Sequence, residues 1–160
     1  MMPGQLRWFR KSLITGKANL SSIPFHSSIP RVPTLFLSEC FASYLPAVSL
    51  ERIISFVATR FSHVSFLAYE MANADDAFGQ VMIRNLRQRG LEMGNVMSQI
   101  DMERLFQSFF GNCSVTAMRN VYQSMVDETE HERLNRIEMM DEWEEWNLIL
   151  QHYCLIYAWK

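Results

Sequence analysis

The sequence predicts an α/β fold in which the chain supplies only part of a parallel sheet. A short apolar run follows Pro33 and ends in an acid, Glu39, as is typical of a strand buried on both faces. A stripe of apolar residues at helical spacing comes next, and a second apolar run begins at Val64. Because strand, helix and strand fall within about 35 residues, they predict a βαβ unit with parallel strands and a right-handed crossover.

The elements of this unit can be placed individually. The first strand is expected over residues 34–39 and the second over residues 64–69. Pro46 can begin the helix between them, because the first helical position has no intrahelical use for an N–H group. The apolar stripe of this helix consists of Leu50, Ile53, Ile54, Val57 and Phe61. We therefore expect one face of the helix to pack on the sheet.

A helical insertion is expected downstream, over about residues 76–128. Asp75 or Asp76 can accept free N–H groups at the start of its first helix, and Gly90 suits a left-handed end. The predicted inner face of that helix consists of Phe78, Val81, Met82 and Leu86. Ser98 belongs to a pattern that resembles a capping box and can open the next helix.

Two further elements are expected near the end of the chain. Thr129 and Glu132 match the capping-box pattern fully and open an acidic helix. The buried side of this acidic helix is expected to consist of Leu134, Ile137, Met140 and Trp143. Residues 152–159 are rich in aromatic and β-branched side chains, which favours a final strand.

The predicted sheet is thin. A parallel strand needs neighbours and helices on both faces, and the chain supplies them on one side only. We therefore expect partner strands to be missing. Residues 1–32 lack sustained periodicity and are expected to be a poorly ordered leader before a domain over residues 33–160. The leader holds no acid and is rich in serine, which fits an organelle transit peptide; an arbitrary or mis-started leader is the interpretation we favour.

The composition argues against several classes of protein. A formal net charge of -2 lacks the basic excess of a nucleic-acid binder, and no apolar stretch approaches the roughly 18–20 residues of a membrane span. Three cysteines without a paired spacing argue against a disulfide framework and favour a reducing, cytoplasmic setting. The four histidines are scattered along the chain, so we expect no metal site.

Glu39 is the strongest candidate for a functional residue. In open α/β sheets, ligands bind beyond the carboxyl ends of the strands, and Glu39 stands at such an end. The alternative is an acid that only caps or solvates the strand. Tyr44 could reach the same crevice, although a tyrosine in that place also serves packing. Tyr69 and Glu70, at the end of the second strand, leave the same two interpretations open.

Several motifs, in order along the chain, resemble those of the leucine carboxyl methyltransferases. They are PTLFLSEC at 33–40, YLP at 44–46, YE at 69–70, DAFGQVMI at 76–83, a segment at 99–111 and HYC at 152–154. The resemblance extends from about Pro33 to Lys160. One departure is that Gly111 and Asn112 stand where the family prefers Gly-Trp.

The resemblance implies a partial Rossmann-like, S-adenosylmethionine-dependent methyltransferase fold with a helical insertion, of which the N-terminal half is missing. It implies an enzyme that methylates the C-terminal leucine of the protein phosphatase 2A catalytic subunit, with S-adenosylmethionine as methyl donor. Glu39 matches the cofactor-contacting glutamate of the family, and Tyr44 matches an active-site tyrosine near cofactor and substrate. The accepting carboxylate is already ionised at neutral pH, so the enzyme needs mainly to align the reactants and exclude water.

Three hypotheses follow from the resemblance. The family's cofactor loop, ribose-binding acid and substrate-binding basic residues lie upstream of the matched region, and residues 1–32 do not resemble them. The first hypothesis is therefore a truncated methyltransferase that alone binds cofactor weakly and turns over little or nothing. The second is a non-catalytic module that binds the phosphatase. The third, the tRNA wybutosine-synthesising branch, is ranked lowest because no repeat region follows Lys160.

Overall fold

The computed structural model of the chain describes residues 32–139 and 141–160. The predicted leader lies outside these ranges except for its last residue, and so does Met140. The elements are β1 (Thr34–Glu39), a 3₁₀ helix (Ala42–Tyr44), α1 (Ala47–Arg60), β2 (Val64–Met71), α2 (Ala77–Gln88), α3 (Gln99–Phe110), β3 (Asn112–Ala117), α4 (Met118–Ser124), α5 (Glu128–Ile137), α6 (Trp143–Gln151) and β4 (Tyr153–Trp159). Of the helices within the described ranges, none is both long and apolar enough to cross a membrane.

The four strands form one mixed sheet in the order β1-β2-β4-β3. β1 and β2 are parallel, with Leu37 opposite Leu67, and α1 connects them. The predicted βαβ unit is therefore confirmed. β4 returns antiparallel to β2, and β3 is antiparallel to β4. The α/β class predicted from the sequence is confirmed as well.

Strand β3 is an element that the sequence analysis does not predict. It lies within the segment that was expected to be helical. Cys113 and Val115 pack against the core while Asn112 and Ser114 are exposed, which is the alternation of a half-buried strand. The run is short, and half of its residues are polar, so its period of two does not stand out in the sequence. Pairing with β4 along its whole length stabilises it.

The core lies on one face of the sheet, beneath α1 and α3. Leu50, Ile54 and Val57 of α1 form one buried cluster with Phe66 of β2 and Phe106 of α3. The rings of Phe66 and Phe106 have centroids 5.4 Å apart. Burial of each large apolar side chain contributes roughly 1.5–3 kcal/mol. The apolar stripe predicted for α1 is thus the face that packs on the sheet.

The opposite face of the sheet carries exposed apolar side chains. Leu35 and Leu37 are 61% and 68% exposed, so the prediction that β1 is buried on both faces is wrong. The reason is that α1 and α3 both pack on the other face, toward which Phe36 points. We call the exposed surface the open face. Its side chains are those of Leu35, Leu37 and Glu39 in β1, Ser65, Leu67 and Tyr69 in β2, and Tyr153, Leu155, Tyr157 and Trp159 in β4.

Several helix boundaries are those that the sequence predicts. The side chains of Asp76 and Ser98 each accept a backbone N–H in the first turn of α2 and α3. Gly90 and Gly111 follow these two helices with φ values of 77° and 84°. Glycine adopts this left-handed conformation without strain, which is why it ends helices so often.

The prediction for the acidic segment needs correction. α5 begins after Asp127, whose carboxylate accepts a backbone N–H of the first turn, so the cap is Asp127 and not Thr129. The backbone of Asp127 is already extended, as an N-cap requires, and the helix therefore starts before the expected capping box. The segment divides into two helices, α5 and α6. Ile137 and Trp143, which were expected on the buried side, are exposed, and the buried residue of α6 is Leu150.

α2 also differs from the prediction. Val81, which was expected on its inner face, is 42% exposed, and the helix buries only Gly79. A Cβ atom at Gly79 would lie 2.5 Å from the Cα of Ala74. The closest packing of α2 is therefore between backbones, which a hydrophobic pattern does not reveal.

A matched pair of leucine substitutions tests whether the core is one-sided. Leu50→Ala is expected to lower the free energy of unfolding by about 2–5 kcal/mol, because it leaves a cavity in the core. Leu37→Ala, on the open face, is expected to lower it by less than about 1 kcal/mol. Urea unfolding followed by circular dichroism measures both values. A loss of the same size in the two variants would contradict the one-sided core.

Candidate functional site

The carboxyl ends of the parallel strands β1 and β2 meet at one edge of the sheet, which we call the carboxyl edge. Glu39 ends β1 opposite Tyr69 of β2, and the N–H of Cys40 donates to the Tyr69 carbonyl at 2.8 Å. β4 begins at the same edge with Tyr153, since it runs antiparallel to β2. The 3₁₀ helix that ends at Tyr44 follows β1 along the chain. Glu39 and Tyr44 therefore flank one turn, at the edge where open α/β sheets bind ligands.

The side chain of Glu39 is exposed and lies on the open face. It lines a depression of about 160 Å³ whose other residues are Leu37, Ser38, Leu67, Tyr69 and Leu155. Pockets that enclose a small-molecule ligand have volumes of roughly 300–1,000 Å³. The depression is therefore suited to be one wall of a ligand site and is too small to enclose a nucleoside by itself.

A larger depression lies at the opposite end of the open face. It has a volume of about 480 Å³, and His63, Tyr157 and Lys160 are among its lining residues. It adjoins the amino ends of β1 and β2, away from the strand ends that bind ligands in folds of this class. It contains neither Glu39 nor Tyr44. We therefore place the candidate site at the carboxyl edge.

A buried carboxylate organises the turn at the carboxyl edge. Glu70 of β2 is fully buried and lies on the covered face of the sheet. Its Oε1 atom accepts hydrogen bonds from Ser38 Oγ at 3.0 Å, Phe41 N at 3.1 Å and Ala42 N at 2.9 Å. Its Oε2 atom accepts from Ser43 N at 3.2 Å and from Ser43 Oγ at 3.1 Å. Five donors, one from the end of β1 and four from the turn that follows it, thus converge on a side chain of the neighbouring strand.

The backbone of this turn has an unusual conformation. Cys40 has a φ of 45°, in the left-handed region that costs a non-glycine residue free energy. The N–H groups of residues 41–43 then point toward one place, as in an anion-binding nest, and the Glu70 carboxylate occupies it. No cationic side chain pairs with Glu70 in the part of the chain that the structure describes. Hydrogen bonds therefore offset the cost of burying this carboxylate.

Two stacked tyrosines lie beside Glu39. The ring centroids of Tyr69 and Tyr153 are 5.1 Å apart. Burial raises the pKa of Tyr69 to about 12, and the negative charge of Glu39 adds to this effect. Burial also raises the pKa of Tyr153, and Cys40 and Tyr44 add to the increase. Both phenols therefore keep their protons at neutral pH and remain hydrogen-bond donors.

Glu39 and Tyr44 keep their side chains free for other contacts. Glu39 is exposed at the end of β1, and Tyr44 is 40% exposed at the end of the 3₁₀ helix. Among the described residues, neither side chain has a hydrogen-bond partner. The structure thus brings the two residues to one turn. Their assigned roles, cofactor binding for Glu39 and catalysis for Tyr44, stay predictions.

A second link between elements involves Asp76. Its Oδ1 atom accepts the N–H of Gly79 at 2.8 Å and lies 2.9 Å from Nε2 of the buried His152. The Nδ1 atom of His152 lies 2.7 Å from the carbonyl oxygen of Leu148. The backbone N–H of Gly79, and then the bond to His152, lower the pKa of Asp76. The predicted cap is confirmed, whereas the histidine that ties the start of α2 to the end of α6 was not predicted.

The remaining reactive side chains give no sign of a second chemistry. The described ranges contain no group of three or more His, Cys, Asp or Glu residues that could hold a metal ion. Burial raises the pKa of Cys40, and it raises those of Cys113 and Cys154 to about 11 and about 12. Because the thiolate is the nucleophilic form, these three thiols are poorly reactive at neutral pH.

The role of Glu70 was missed by the sequence analysis, although the sequence contains a signal for it. Phe66, Ala68 and Glu70 recur at a period of two, so the acid shares its face of β2 with two buried residues. A carboxylate in such a position needs partners. Ser38 and Ser43 provide them, but they lie far away in the sequence, and only the pairing of β1 with β2 brings them close.

The Asp76 link predicts a pH dependence of stability. The pKa of Asp76 is lowered in the folded chain, so its contribution to stability is fully present above the ordinary pKa of an aspartate and is lost as the pH falls through the lowered folded pKa. Asp76→Asn keeps a capping side chain without the charge and is expected to lose less stability than the parent chain as the pH falls from about 5 to about 2. Urea unfolding over this range measures the difference, with Asp75→Asn as the matched control. Parallel curves for the parent chain and Asp76→Asn would contradict the link.

Comparisons with known proteins identify relatives. No family model matches the chain. A leucine carboxyl methyltransferase 1 homolog of Arabidopsis thaliana is 37% identical over 131 residues, which are 79% of this chain and 40% of that protein. Leucine carboxyl methyltransferase 1 of Bos taurus is 34% identical over 134 residues, 81% of this chain and 40% of that protein. The tRNA wybutosine-synthesizing protein 4 of Rattus norvegicus is 33% identical over 132 residues, 79% of this chain and 19% of that protein.

The matches cover most of the chain, but the chain spans only about 40% of the length of these leucine carboxyl methyltransferases. This coverage is consistent with a C-terminal portion of the family. The mixed four-stranded sheet with its helices is consistent with part of a methyltransferase-like fold. Over most of its length, the chain is therefore similar to a portion of the leucine carboxyl methyltransferases.

Proposed function

We propose that the chain forms part of an S-adenosylmethionine-dependent carboxyl O-methyltransferase that acts on the C-terminal leucine of the protein phosphatase 2A catalytic subunit. The observation that carries the proposal is an identity of 30–37% to leucine carboxyl methyltransferases over about 80% of the chain. The names of these relatives describe methyl transfer to a leucine carboxyl group. The phosphatase and S-adenosylmethionine are the further parts of the proposal.

The carboxyl edge fits one wall of a cofactor site. Glu39 presents a carboxylate with unused acceptor atoms, which suits the hydroxyl and amine donors of a nucleoside cofactor. Leu37, Leu67 and Leu155 line the same depression and offer apolar contact to a flat ring. Because the depression encloses only about 160 Å³, the other wall of the site belongs to a different part of the enzyme.

The residues at this edge act by alignment in the proposed reaction. S-adenosylmethionine, when bound, supplies an activated methyl group. Glu39 holds the cofactor at the end of β1, and the phenol of Tyr44, across the same turn, donates a hydrogen bond that orients the incoming carboxylate. A leucine carboxylate is ionised at neutral pH, so no residue of this chain needs to remove a proton. Fixing the two reactants in line is the main source of rate acceleration in such a case.

The open face is the surface on which the rest of the enzyme packs in this proposal. It exposes Leu35, Leu37, Tyr157 and Trp159, and contiguous apolar surface of this kind marks an interaction site. Parallel strands in α/β proteins are normally covered on both faces. The relatives are long enough to provide this cover, since the chain spans about 40% of their length.

A tRNA wybutosine-synthesising methyltransferase is the second candidate. The identity to the rat protein, 33%, falls within the range of the leucine carboxyl methyltransferases, so the degree of similarity favours neither. Both candidates would use the same wall of the cofactor site. They differ in the acceptor of the methyl group, and the choice of acceptor in an assay therefore separates them.

A chimeric enzyme tests the proposed reaction. Residues 33–160 replace the matching segment of the Arabidopsis thaliana relative, and transfer of labelled methyl groups is measured on a leucine-terminated phosphatase peptide and on tRNA. The chimera is expected to methylate the peptide but not its C-terminally amidated form, because the amide lacks the accepting carboxylate. Methylation of tRNA would favour the second candidate. Tight phosphatase binding without methylation would favour a non-catalytic module.

Glu39→Ala in the same chimera tests the cofactor wall. Loss of a charged hydrogen-bond acceptor is expected to weaken binding of S-adenosylmethionine by roughly 10- to 150-fold. Equilibrium dialysis with labelled cofactor measures the affinity, and Glu51→Ala, which removes an exposed acid of α1, is the matched control. Unchanged affinity in a folded Glu39→Ala chimera would contradict the assignment of Glu39 to the cofactor site.

The 160-residue chain alone is expected to bind the cofactor more weakly than micromolar, because it supplies only one wall of the site. Micromolar binding would contradict this interpretation.

A further inference from the structure

We infer that Glu70 is a positioning residue, which fixes the turn after β1 so that Glu39 and Tyr44 face the same edge of the sheet. Its effect on the cofactor rests on the proposed function. Its effect on the conformation of the turn does not rest on the proposed function. The effect on the turn and the effect on cofactor binding can be measured separately.

The donors to Glu70 lie immediately beside the two candidate site residues. Ser38 precedes Glu39, and its hydroxyl donates to Oε1. Ser43 precedes Tyr44, and both its backbone N–H and its hydroxyl donate to Oε2. One carboxylate therefore holds the chain directly before each site residue. A shift of this carboxylate would move both side chains together.

The choice of a glutamate at this position is explained by the number of donors. A buried carboxylate without a cationic partner is costly, and an apolar or amide residue would avoid that cost. An amide, however, has one acceptor oxygen, whereas the end of β1 and the turn together direct five donors at two oxygens. The φ of 45° at Cys40 is strained, so the turn needs further stabilising contacts to keep this conformation. The carboxylate is thus matched to the geometry of the turn.

Glu70→Gln isolates this effect, since it keeps the shape of the side chain. If the amide oxygen takes the place of Oε1, the NH₂ group faces the N–H of Ser43, and two donors then oppose each other. If the amide is reversed, the NH₂ group faces the N–H groups of Phe41 and Ala42. Either orientation leaves a buried donor unpaired and loosens the turn.

Amide hydrogen exchange of the 160-residue chain tests the hold on the turn. The N–H groups of Phe41, Ala42 and Ser43 are expected to be protected in the parent chain and to exchange at least about tenfold faster in Glu70→Gln. The amides of α3, distant in the core, are expected to change little. Glu51→Gln is the matched control and should leave the turn protected. Free exchange of these three amides in the parent chain would overturn the inference, whether or not the variant folds.

A double-substitution cycle in the chimera distinguishes positioning from general destabilisation. Cofactor affinity is compared in Glu39→Ala, Glu70→Gln and the double variant. If Glu70 acts by placing Glu39, the double variant binds as weakly as Glu39→Ala and no more weakly. Fully additive losses would overturn the positioning role. If the parent chimera binds no cofactor, the proposed function fails, while the exchange experiment still decides whether Glu70 holds the turn.

Discussion

The contact between the buried Glu70 carboxylate and the turn after β1 is the interaction on which the candidate site depends. It joins the end of β2 to the backbone of residues 41–43, so that the ends of β1 and β2 and the 3₁₀ helix are held together at one edge of the sheet. The turn contains a residue in a left-handed conformation, Cys40, which local sequence preferences alone would not maintain. The hydrogen bonds to the Glu70 carboxylate, and not local sequence preferences, therefore stabilise the conformation of this turn. Glu39 and Tyr44 owe their fixed backbone positions to this arrangement.

A second constraint comes from the one-sided packing of the sheet. α1 and α3 cover the face on which Glu70 is buried, while the opposite face exposes Leu35 and Leu37. Glu39 belongs to the open face, at its margin. The same strand end thus directs a structural serine, Ser38, inward and a candidate ligand-binding acid outward. In the proposed enzyme, the surface that binds the cofactor and the surface that receives the remainder of the protein are neighbours.

The sequence predicted the parts of the structure that depend on local chemistry. The βαβ unit, the stripe of α1 and the caps at Asp76 and Ser98 follow from periodicity and from single hydrogen bonds. The position of Glu39 at a strand end followed from the same reasoning. What the sequence did not predict depends on contacts between distant segments. Strand β3 forms by pairing with β4. Ile137 and Leu37 are exposed because no other element of the described chain covers them, which local sequence does not reveal.

The two polar links between distant segments show the same limit of prediction from sequence. Glu70 lies far from Ser38 in the sequence, and His152 lies far from Asp76, yet each pair is in direct contact. A single sequence gives the type of each residue and its face on an element, but not its partner. The resemblance to a methyltransferase family points to the carboxyl edge of the sheet but does not point to Glu70, the residue that holds the turn at this edge.

The central claim is that the open face, with Glu39 at its margin, receives the rest of an enzyme. Hydroxyl-radical footprinting of the isolated chain and of the chimera tests this claim most directly. We expect Leu37 and Trp159 to be oxidised readily in the isolated chain and protected in the chimera, and Phe106 to be protected in both. Equal oxidation of Leu37 and Trp159 in the two proteins, or protection equal to that of Phe106 in the isolated chain, would contradict it.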